Sequence, residues 1–426
     1  MDDTELWRHS MDKLYLFTMG FPFPGQSMET YLETECMYYD RFSEVNIVSL
    51  EVKKEDLTKE RKINSSKEMN IYPIVFGSML DYLIASLLAV CDRNFYGEMK
   101  KLIKSRRLNL GRFMRLCKFI GRSHYDARQV VKKLGLSKQS PIENAIVYTY
   151  RFEYQAYICY LLSDYFVNCK YVARAHRYDL YEEENSDQYI PCREVLMQRF
   201  DILYLIAKDG LNYMTQKYPA FKEKYRLSYL GTLDQGRCDT TEPDTFRIVS
   251  CSNILPVKRV ERIIDCISML KVSNVEWIHF GDGMCADEMK QLARQMLDGK
   301  CAYRFMGRVS NTEVLEYYRT HDVRLFINLS DSEGIPVSIM EAMSFGIPCI
   351  ATDVGGTSEI VVDEYNGYLV DPQVENERIA ALIQKAASLP DSEYRQMRTN
   401  ARNSWDQNFN ADKNYRVFLD DLVGKA

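Results

Sequence analysis

The sequence lacks several features that mark particular classes of protein. Its first thirteen residues contain no basic stretch followed by an apolar core, so we expect no secretory signal there. Twelve cysteines are present, but none forms a Cys-x-x-Cys pair. Scattered cysteines without a signal are typical of reduced thiols, which predicts a cytoplasmic protein without a disulfide or zinc framework. We find no internal repeats and no low-complexity segments.

An excess of positive charge is also missing. The chain has 55 Lys and Arg against 60 Asp and Glu, a formal net charge of -5. This balance gives no general attraction to nucleic acid, so we expect no nucleic-acid partner, and any anion-binding surface must be local. Hydrophobic residues at 46% and charged residues at 27% are ordinary for globular domains. At 426 residues the chain is too long for one core, which predicts two or three domains.

One apolar stretch, residues 74–91, approaches the length of a membrane span. Asp81 lies in its middle, and a charge at the bilayer centre is costly, so we expect a buried or surface-lying helix instead. The following residues, 98–138, carry thirteen Lys and Arg and only two acidic residues, Glu98 and Asp126. A basic amphipathic helix on an anionic membrane has this composition, and so does the solvated face of a helical subdomain. The sequence leaves both interpretations of this basic helical region, 74–138, open.

Short apolar runs separated by turn residues predict a parallel α/β domain in the first half. A strand at 14–18 leads into a loop rich in Gly and Pro, and a helix at 28–39 and a strand at 45–50 follow. Further strands are expected at 171–175, 200–208 and 227–230, with a helix at 211–218. A polar, turn-rich stretch at 235–243 marks a junction, so we place the N-terminal domain at 1–233.

The second half alternates more regularly. Strands are predicted at 246–251, 275–280, 303–306, 323–329, 348–352 and 367–370, and helices at 260–270, 286–297, 311–319 and 337–344. This alternation predicts a doubly wound parallel sheet, in which ligands bind at the carboxyl ends of the strands. We place the second domain at 234–411 and a final segment, with a helix at 415–422, at 412–426.

The most informative segment is NLSDSEGIPVSIMEAMSFGIPCIATDVGGTSE at 328–359. A strand ends, a polar turn leads to Glu333 and Gly334, and a helix begins at Pro336, a residue suited to the first helical position. The N–H groups at a helix start favour phosphate. Glu333 in the turn and Glu341 within the helix cannot share one helix face, but they can bracket an extended ligand. Carboxylates are good acceptors for the vicinal hydroxyls of a sugar or a ribose.

This pair resembles the Glu-x7-Glu pattern of the retaining group 1 (GT4) glycosyltransferases. The segment AMSFGIPCIATDVGGTSEIV follows it, and FGDG and FMGRVS precede it at the offsets that the family shows, so the resemblance covers 246–411. Enzymes of bacterial capsular and exopolysaccharide biosynthesis are the members it resembles. The resemblance implies an α/β GT-B fold: two Rossmann-like domains whose parallel sheets face each other across a cleft, with a helical insertion in the first and a C-terminal helix that returns to it.

The resemblance also implies roles for individual residues. Glu341 is expected to grip the ribose hydroxyls of a nucleotide, and Glu333 to contact the donor sugar. Lys258, with Arg259 beside it, is expected to offset the charge of the diphosphate leaving group. Further donor contacts are implied at Gly334, Ile335, Val337, Ser338, Arg308, Val309, Gly25 and Asn253.

Asn253 stands where the family has an arginine, five positions before the diphosphate lysine, and Arg259 is our candidate to replace that arginine. Pro336 stands where the family often has glycine, so one N–H group is lost. In ARAHRYDLYE, His176 resembles the histidine that faces the transferred sugar, and Asp179 either orients it or caps a helix.

Together these features predict a retaining glycosyltransferase that moves a hexose-type sugar in cell-surface polysaccharide biosynthesis. The donor is expected to be UDP- or GDP-linked, with no metal or other cofactor, and the acceptor a saccharide, lipid-linked if the protein touches the inner face of the membrane. Other interpretations remain open: a non-catalytic GT-B partner of an active transferase, which Asn253 keeps in consideration, a sugar phosphorylase or a nucleotide-sugar epimerase.

Overall fold

The computed structural model divides into two compact units. It describes residues 13–24, 29, 31–75, 77–238 and 245–424, without the side chain of Leu88. The first unit comprises Met1–Ile206, Gly210–Ser228 and Tyr415–Ala426, and the second comprises Ala207–Asp209 and Tyr229–Asn414. Each unit is built on its own parallel sheet, as the alternating sequence pattern predicts.

The first unit contains, among the described residues, a seven-stranded sheet in the order β3-β2-β1-β5-β7-β8-β9 and a two-stranded ladder of β4 and β6. Neighbouring strands pair in parallel throughout, so each connection is a crossover. The strands are β1 Lys13–Thr18, β2 Glu44–Val52, β3 Asn70–Val75, β4 Ile142–Glu143, β5 Ala145–Thr149, β6 Phe166–Val167, β7 Lys170–Ala175, β8 Ile202–Leu205 and β9 Tyr225–Leu227.

Helices cover both faces of this sheet. They are α1 Tyr31–Cys36, α2 Met79–Leu87, α3 Arg93–Lys104, α4 Leu110–Leu134, α5 Tyr154–Leu161, α6 Arg177–Leu180, α7 Arg193–Arg199 and α8 Lys208–Lys217. Short 3-10 helices lie at Tyr39–Arg41, Lys54–Asp56, Leu88–Cys91, Glu182–Glu184 and Pro219–Lys224. Along β5 the side chains alternate between two cores: Ala145 and Val147 join one, and Ile146 and Tyr148 join the other.

The second unit contains, within its described residues, a six-stranded parallel sheet in the order β12-β11-β10-β13-β14-β15. The strands are β10 Phe246–Cys251, β11 Val275–Phe280, β12 Ala302–Gly307, β13 Leu325–Asn328, β14 Cys349–Thr352 and β15 Gly367–Val370. The helices are α9 Val260–Ser268, α10 Ala286–Leu297, α11 Asn311–Thr320, α12 Val337–Ser344, α13 Asn376–Ala387, α14 Asp391–Asn408 and α15 Ala411–Leu422. Short 3-10 helices lie at Pro256–Lys258 and Gly355–Glu359. The strand order reverses between β10 and β13, the place where doubly wound sheets bind ligands.

The last helix, α15, contributes to the core of the first unit from Tyr415 onward. Its side chains Phe418, Leu419 and Leu422 pack in the core that also contains Leu14 of β1. Lys170 donates to the carbonyls of Asp421 and Leu422 at 3.0 and 2.9 Å, which fixes the end of the helix against β7. The final segment is therefore an integral layer of the first unit.

Five predicted elements of the second half agree with the structure to the residue: 246–251, 275–280, 286–297, 337–344 and 367–370. The first half agrees less well. The strand at 227–230 lies earlier, at Tyr225–Leu227, and the helix at 28–39 is shorter, Tyr31–Cys36 among the described residues. The strand Ala145–Thr149 was not predicted at all.

The prediction of a single helix over 74–91 is wrong. Strand β3 extends to Val75, helix α2 follows, and a 3-10 helix ends the stretch. Asp81 is therefore in the first turn of α2, where its carboxylate accepts from the backbone N–H and the hydroxyl of Ser78 at 2.8 and 2.6 Å. This is a capping arrangement, so the charge stabilises the helix start. Among the described residues, no helix has both the length and the apolar character needed to cross a bilayer.

Candidate active site

The loops that follow β10 and β13 meet at the carboxyl edge of the second sheet. The loop after β10 ends in the 3-10 helix Pro256–Lys258, and Arg259 then adopts the left-handed conformation, with φ of 48°, before α9 begins. The N–H of Asp331, after β13, donates to the carbonyl of Val257 at 2.9 Å. The two loops are therefore tied together by their backbones, and the side chains that they carry lie close to one another.

Lys258 and Glu333 form an ion pair at this edge. The ammonium group lies 2.7 Å from Oε1 of Glu333, and both side chains are largely buried. The amide of Asn328, the last residue of β13, donates to the same oxygen at 3.2 Å. The side-chain oxygen of Asn328, Oδ1, accepts from the hydroxyl of Ser330 at 2.6 Å, which fixes the orientation of the side-chain amide. Asn328 was not among the residues predicted from the sequence, although its position at the end of a strand was a signal.

Glu341 lies on the second turn of α12 and has a different partner. The side-chain amide of Asn311 donates to its Oε1 at 2.7 Å. Burial raises the pKa of Glu341 to about 7, and the bond from Asn311 only partly opposes this rise. Asn311 begins α11, which Ser310 and Glu313 cap reciprocally. Sequence analysis missed Asn311, although the Ser-x-x-Glu capping pattern around it locates the helix start.

The entry to α12 collects four of the predicted donor contacts, Gly334, Ile335, Val337 and Ser338. Pro336 is the residue that precedes the helix, with φ of −78°, and Val337 is the first helical residue, so the prediction of Pro336 in that role is wrong by one position. The first N–H groups of a helix have no acceptor within it, and together they form its positive end. An anionic ligand is favoured there.

Two glycines hold this entry in place. A Cβ on Gly355 would lie 1.9 Å from the carbonyl oxygen of Glu333, and the φ of Gly355 is +54°. A Cβ on Gly356 would lie 2.7 Å from the carbonyl oxygen of Gly334, which also accepts from the Gly356 N–H at 2.8 Å. The backbone after β14 can press on the Glu333–Gly334 turn only because both residues lack a side chain. The motif contained this pair, but sequence analysis assigned it no role.

The remaining predicted residues of the second unit lie at the same sheet edge. The guanidinium of Arg259 pairs with Asp331 at 2.8 Å and donates to the carbonyl of Pro372 at 3.3 Å, so part of its charge is compensated. Asn253 is exposed after β10, and Arg308, also exposed, follows β12 together with Val309. Gly25 lies outside the described residues.

His176 follows β7 in the first unit and is buried. Its Nδ1 lies 3.9 Å from the Asp179 carboxylate, beyond hydrogen-bond distance, and its Nε2 has no hydrogen-bond partner among the described residues. Burial, and then the charges of Arg151 and Arg174, hold the pKa of His176 well below its ordinary value. The imidazole is therefore neutral, and neither ring nitrogen has a hydrogen-bond partner among the described residues.

Asp179 organises the backbone around His176. Its carboxylate accepts from the N–H of His176 at 3.2 Å, from the N–H of Phe152 at 2.7 Å and from Arg151 at 3.1 Å. Of the two roles that sequence analysis left open, the hydrogen bond favours capping, since Asp179 bonds the backbone of His176 and not its ring. The carboxylate thereby links the residues after β5 to those after β7.

The loop after β1, which the sequence predicts to be rich in Gly and Pro, carries an internal anion. The N–H groups of Met19, Gly20 and Phe21 donate to the buried carboxylate of Glu29 at 2.8, 3.1 and 3.2 Å. Burial raises the pKa of Glu29, and these three bonds oppose the rise. Three backbone donors of this loop are therefore already used inside the protein. Among the described residues, no cluster of three or more His, Cys, Asp or Glu is placed to hold a metal ion.

Comparison with known proteins agrees with the geometry of the second unit. Residues 239–404 match the family described as glycosyl transferases group 1. This segment is a group 1 glycosyltransferase domain. The chain is 36% identical over 244 residues to the putative colanic acid biosynthesis glycosyltransferase WcaL of Salmonella typhimurium, covering 55% of this chain and 59% of that protein.

A second relative of the group 1 domain is the Escherichia coli protein named UDP-Gal:alpha-D-GlcNAc-diphosphoundecaprenol alpha-1,3-galactosyltransferase. It is 28% identical over 149 residues, which cover 34% of this chain and 37% of that protein. The chain spans about half the length of the curated relatives that it matches.

Solved structures extend the likeness to the whole chain. HepE of Anabaena, in complex with UDP, superposes with a TM-score of 0.65 at 16% sequence identity, covering 97% of this chain and 100% of that one. At this identity the likeness shows the fold alone. The predicted GT-B fold, with two parallel-sheet units, is confirmed.

Proposed function

We propose that this protein is a glycosyltransferase that moves a hexose from a nucleoside-diphosphate donor to a saccharide during polysaccharide biosynthesis. The observation that carries the proposal is the convergence of Lys258, Glu333 and the start of α12 at one edge of the second sheet. A cation, a carboxylate and a helix N-terminus suit a ligand with both phosphate and hydroxyl groups. The group 1 domain and the names of its relatives support the same activity.

In this proposal, Lys258 and the start of α12 hold the diphosphate. Negative charge grows on the leaving diphosphate oxygen as the bond to the sugar breaks. Lys258 has three N–H donors, and its bond to Glu333 uses one, so the others can bind phosphate oxygens. Both groups are fixed by the fold, so they stabilise the growing charge with little reorganisation. Since the protein supplies this positive charge itself, we propose that no divalent cation is needed.

Glu341 is assigned to the ribose and Glu333 to the sugar. Asn311 orients the Glu341 carboxylate toward one geometry, and Lys258 with Asn328 does the same for Glu333. Glu333 is already bound by two donors, which suits a positioning role. The acceptor oxygen would attack the face that the diphosphate leaves, and its proton would pass to the departing diphosphate oxygen, so the anomeric configuration is retained. Orientation and charge stabilisation are then the protein's contribution.

The acceptor is assigned to the first unit. His176 lies at the carboxyl edge of that sheet with neither ring nitrogen hydrogen-bonded among the described residues, and in this proposal one of them bonds a sugar hydroxyl. One relative's name specifies an acceptor linked to diphosphoundecaprenol. That name, together with the basic helical region, supports a lipid-linked saccharide as the acceptor of this chain.

Nucleotide binding tests the donor site. Thermal unfolding is measured with UDP, GDP and their sugar conjugates, with and without EDTA, for the wild type, Glu341→Ala and the matched surface variant Glu393→Ala. We expect a rise in Tm for one base that EDTA leaves unchanged, that Glu393→Ala retains and that Glu341→Ala loses. No rise with any nucleotide, in a protein that unfolds cooperatively, would refute the donor site.

Turnover separates the remaining interpretations. Release of free nucleotide that requires a saccharide acceptor supports a transferase, and an α-linked product from an α-linked donor supports retention. Nucleotide binding without turnover on any acceptor would instead identify a non-catalytic GT-B partner. Dependence on free phosphate would identify a phosphorylase, and turnover without an acceptor would identify an epimerase.

A further inference from the structure

Helix α2 of the first unit exposes an unusual number of large apolar side chains. Met79, Leu80, Leu83, Ile84 and Leu87 are between 51% and 92% exposed. Their spacing places them along one continuous stripe of the helix. Ala85 is the only residue of α2 that is buried among those described. Single exposed leucines are ordinary on protein surfaces, but a contiguous patch of this kind marks an interaction site.

The opposite side of α2 is anchored tightly to α4. A Cβ on Gly121 would lie 2.5 Å from the backbone of Ala85, so the two helices approach backbone to backbone. The ring of Tyr82 packs edge-on against Tyr125 at 5.4 Å, and its hydroxyl donates to Asp126 at 3.3 Å. Because this side is fixed by close packing, the apolar stripe on the other side is a stable feature of the folded unit.

The stripe continues onto the beginning of α4. Residues Gly121 and Tyr125 contact α2, and helical periodicity places Lys118 one turn and Met114 two turns before Gly121 on the same side of α4. Met114 is exposed, as are two further large apolar residues of that turn, Leu110 and Phe113. We call the exposed apolar residues of both helices the apolar face: Met79, Leu80, Leu83, Ile84, Leu87, Leu110, Phe113 and Met114.

The segment that carries the apolar face, residues 77–133, contains thirteen Lys and Arg and only four acidic residues. The acidic side chains between 77 and 133 are bound within the protein: Asp81 to Ser78, Asp92 to His124, Glu98 to Lys101 and Tyr189, and Asp126 to Arg122 and Tyr82. Within the same range, the exposed basic side chains that form no ion pair with any described residue are Arg93, Lys100, Lys104, Arg106, Lys118, Arg128, Lys132 and Lys133. A chain of net negative charge thus presents a local positive surface around an apolar stripe.

We propose that the apolar face inserts into the surface of an anionic lipid bilayer, with the surrounding lysines and arginines on the lipid headgroups. Interfacial helices bind membranes by this combination of exposed apolar side chains and flanking cations. A second copy of this chain fits less well, because pairing two such faces would bring like charges together. Nucleic acid also fits less well, since an aliphatic stripe offers bases no stacking surface.

Helices α2 and α4 contribute differently to the proposed membrane surface. On α4, which carries many of the basic residues, Leu116, Phe119 and Ile120 are buried in the core of the first unit and cannot reach lipid. The insertion surface is supplied mainly by α2, and α4 supplies charge and support. The proposal is independent of the glycosyltransferase activity, because binding to vesicles requires no sugar substrate.

Flotation with lipid vesicles tests the proposal. The full-length protein is mixed with vesicles of equal parts phosphatidylglycerol and phosphatidylcholine, or of phosphatidylcholine alone. We expect binding to the anionic vesicles, reduced by about tenfold for each leucine changed in Leu80→Ser, Leu83→Ser and Leu87→Ser. These side chains are exposed, so the triple variant should fold, which circular dichroism checks. The control Val417→Ser removes an apolar side chain that is 67% exposed on α15, and its binding should equal that of the wild type.

A charge-matched pair isolates the electrostatic contribution. Lys100→Glu with Lys104→Glu is compared with Lys53→Glu and Lys62→Glu, two exposed lysines outside the basic surface. Both double variants change the net charge equally. We expect the first pair to lose at least about fivefold in affinity per lysine and the second pair to change little. An equal loss in both pairs would mean that only the net charge matters, which would overturn the assigned surface.

Insertion itself is measured with a tryptophan. In Leu83→Trp, fluorescence should be quenched by vesicles whose acyl chains carry bromine, and in Val417→Trp the added signal should not be. Failure of the wild type to float with anionic vesicles overturns the proposal. So does unchanged binding of the triple leucine variant. Dimerisation by light scattering that the leucine changes abolish, without vesicle binding, would show that the face joins two copies of the chain instead.

Discussion

A buried histidine lies near the carboxyl edge of each sheet, and the two differ in their partners. In the second unit, Nδ1 of His279 lies 2.8 Å from the hydroxyl of Ser250, and Nε2 lies 3.2 Å from the carbonyl of Ser252. In the first unit, Nε2 of His176 has no partner among the described residues. Burial lowers the pKa of His279 to about 4, and it holds the pKa of His176 well below its ordinary value. Both rings are neutral, so charge does not distinguish them. They differ in hydrogen bonding: both nitrogens of His279 have a partner, whereas those of His176 have none among the described residues.

The same contrast extends to the neighbouring groups. At the carboxyl edge of the second unit's sheet, Lys258 and Asn328 both donate hydrogen bonds to Glu333. At the first edge, the Nε atom of Arg151, next to His176, also has no partner among the described residues. We infer that the second edge is prearranged for its ligand, whereas the first still has hydrogen-bonding capacity that a substrate would satisfy.

The largest effect should come from removing the cation at the prearranged edge. Lys258→Ala should lower turnover by about 10^2 to 10^3, the size of a lost preorganised contact to developing charge. The loss should fall on kcat, since the contact strengthens as the diphosphate departs. Steady-state kinetics measures it, with Lys290→Ala as the control because Lys290 is a partly exposed lysine on α10. Equal turnover in both variants would show that the Lys258–Glu333 pair is only structural.

A steric change at the same edge should have the next largest effect. Gly355→Ala places a Cβ 1.9 Å from the Glu333 carbonyl at a φ of +54°, and we expect about 3 kcal/mol of lost stability from strain and displacement of the turn. Gly299→Ala is the matched control, because Gly299 has a φ of +77° and a Cβ there would meet no other atom within 4 Å. Its cost should be about 1 kcal/mol, from conformation alone. Urea unfolding measures both, and equal costs would mean that the contact with Glu333 is unimportant.

Substituting each histidine in turn tests whether their hydrogen-bond partners determine their roles. His279→Ala should cost about 2 to 3 kcal/mol of stability, because it leaves a cavity and unpaired groups at Ser250 and Ser252. His176→Gln should cost about 1 kcal/mol or less but lower turnover by about 10^2, since it removes a ring nitrogen available to the substrate. Urea unfolding measures the stability of both variants, and steady-state kinetics measures their turnover. If both variants lost stability and turnover alike, the two histidines would have the same role.

The sequence predicts the structure of the second unit better than that of the first. The helix 337–344 and the Glu-x7-Glu pair were predictable because strand, turn and helix are contiguous, so local pattern determines their geometry. Asn311 and Gly355 were not singled out, because their contacts to Glu341 and Glu333 join separate crossover units. In the first unit, the sequence left open whether the apolar stretch at 74–91 is buried or lies on the surface, and only the packing of α2 on α4 shows which side is exposed.

The smallest effect expected is a pH dependence at Glu341, which sharpens the contrast between ion-paired Glu333 and amide-bonded Glu341. The folded-state pKa of Glu341 is about 7, above its ordinary value of 4.5, so between these values the folded state binds more protons than the unfolded state. Stability therefore falls as pH rises through this window, by about 2 kcal/mol for this partly exposed group. Subtracting the unfolding free energy of Glu341→Gln from that of the wild type at pH 5 and at pH 8 isolates the contribution. Nucleotide affinity should run the opposite way and increase toward pH 8, since ribose hydroxyls bond the ionised carboxylate more strongly. If neither stability nor affinity changed across this range, Glu341 would be ionised throughout, and Asn311 would stabilise its charge more effectively than burial opposes it.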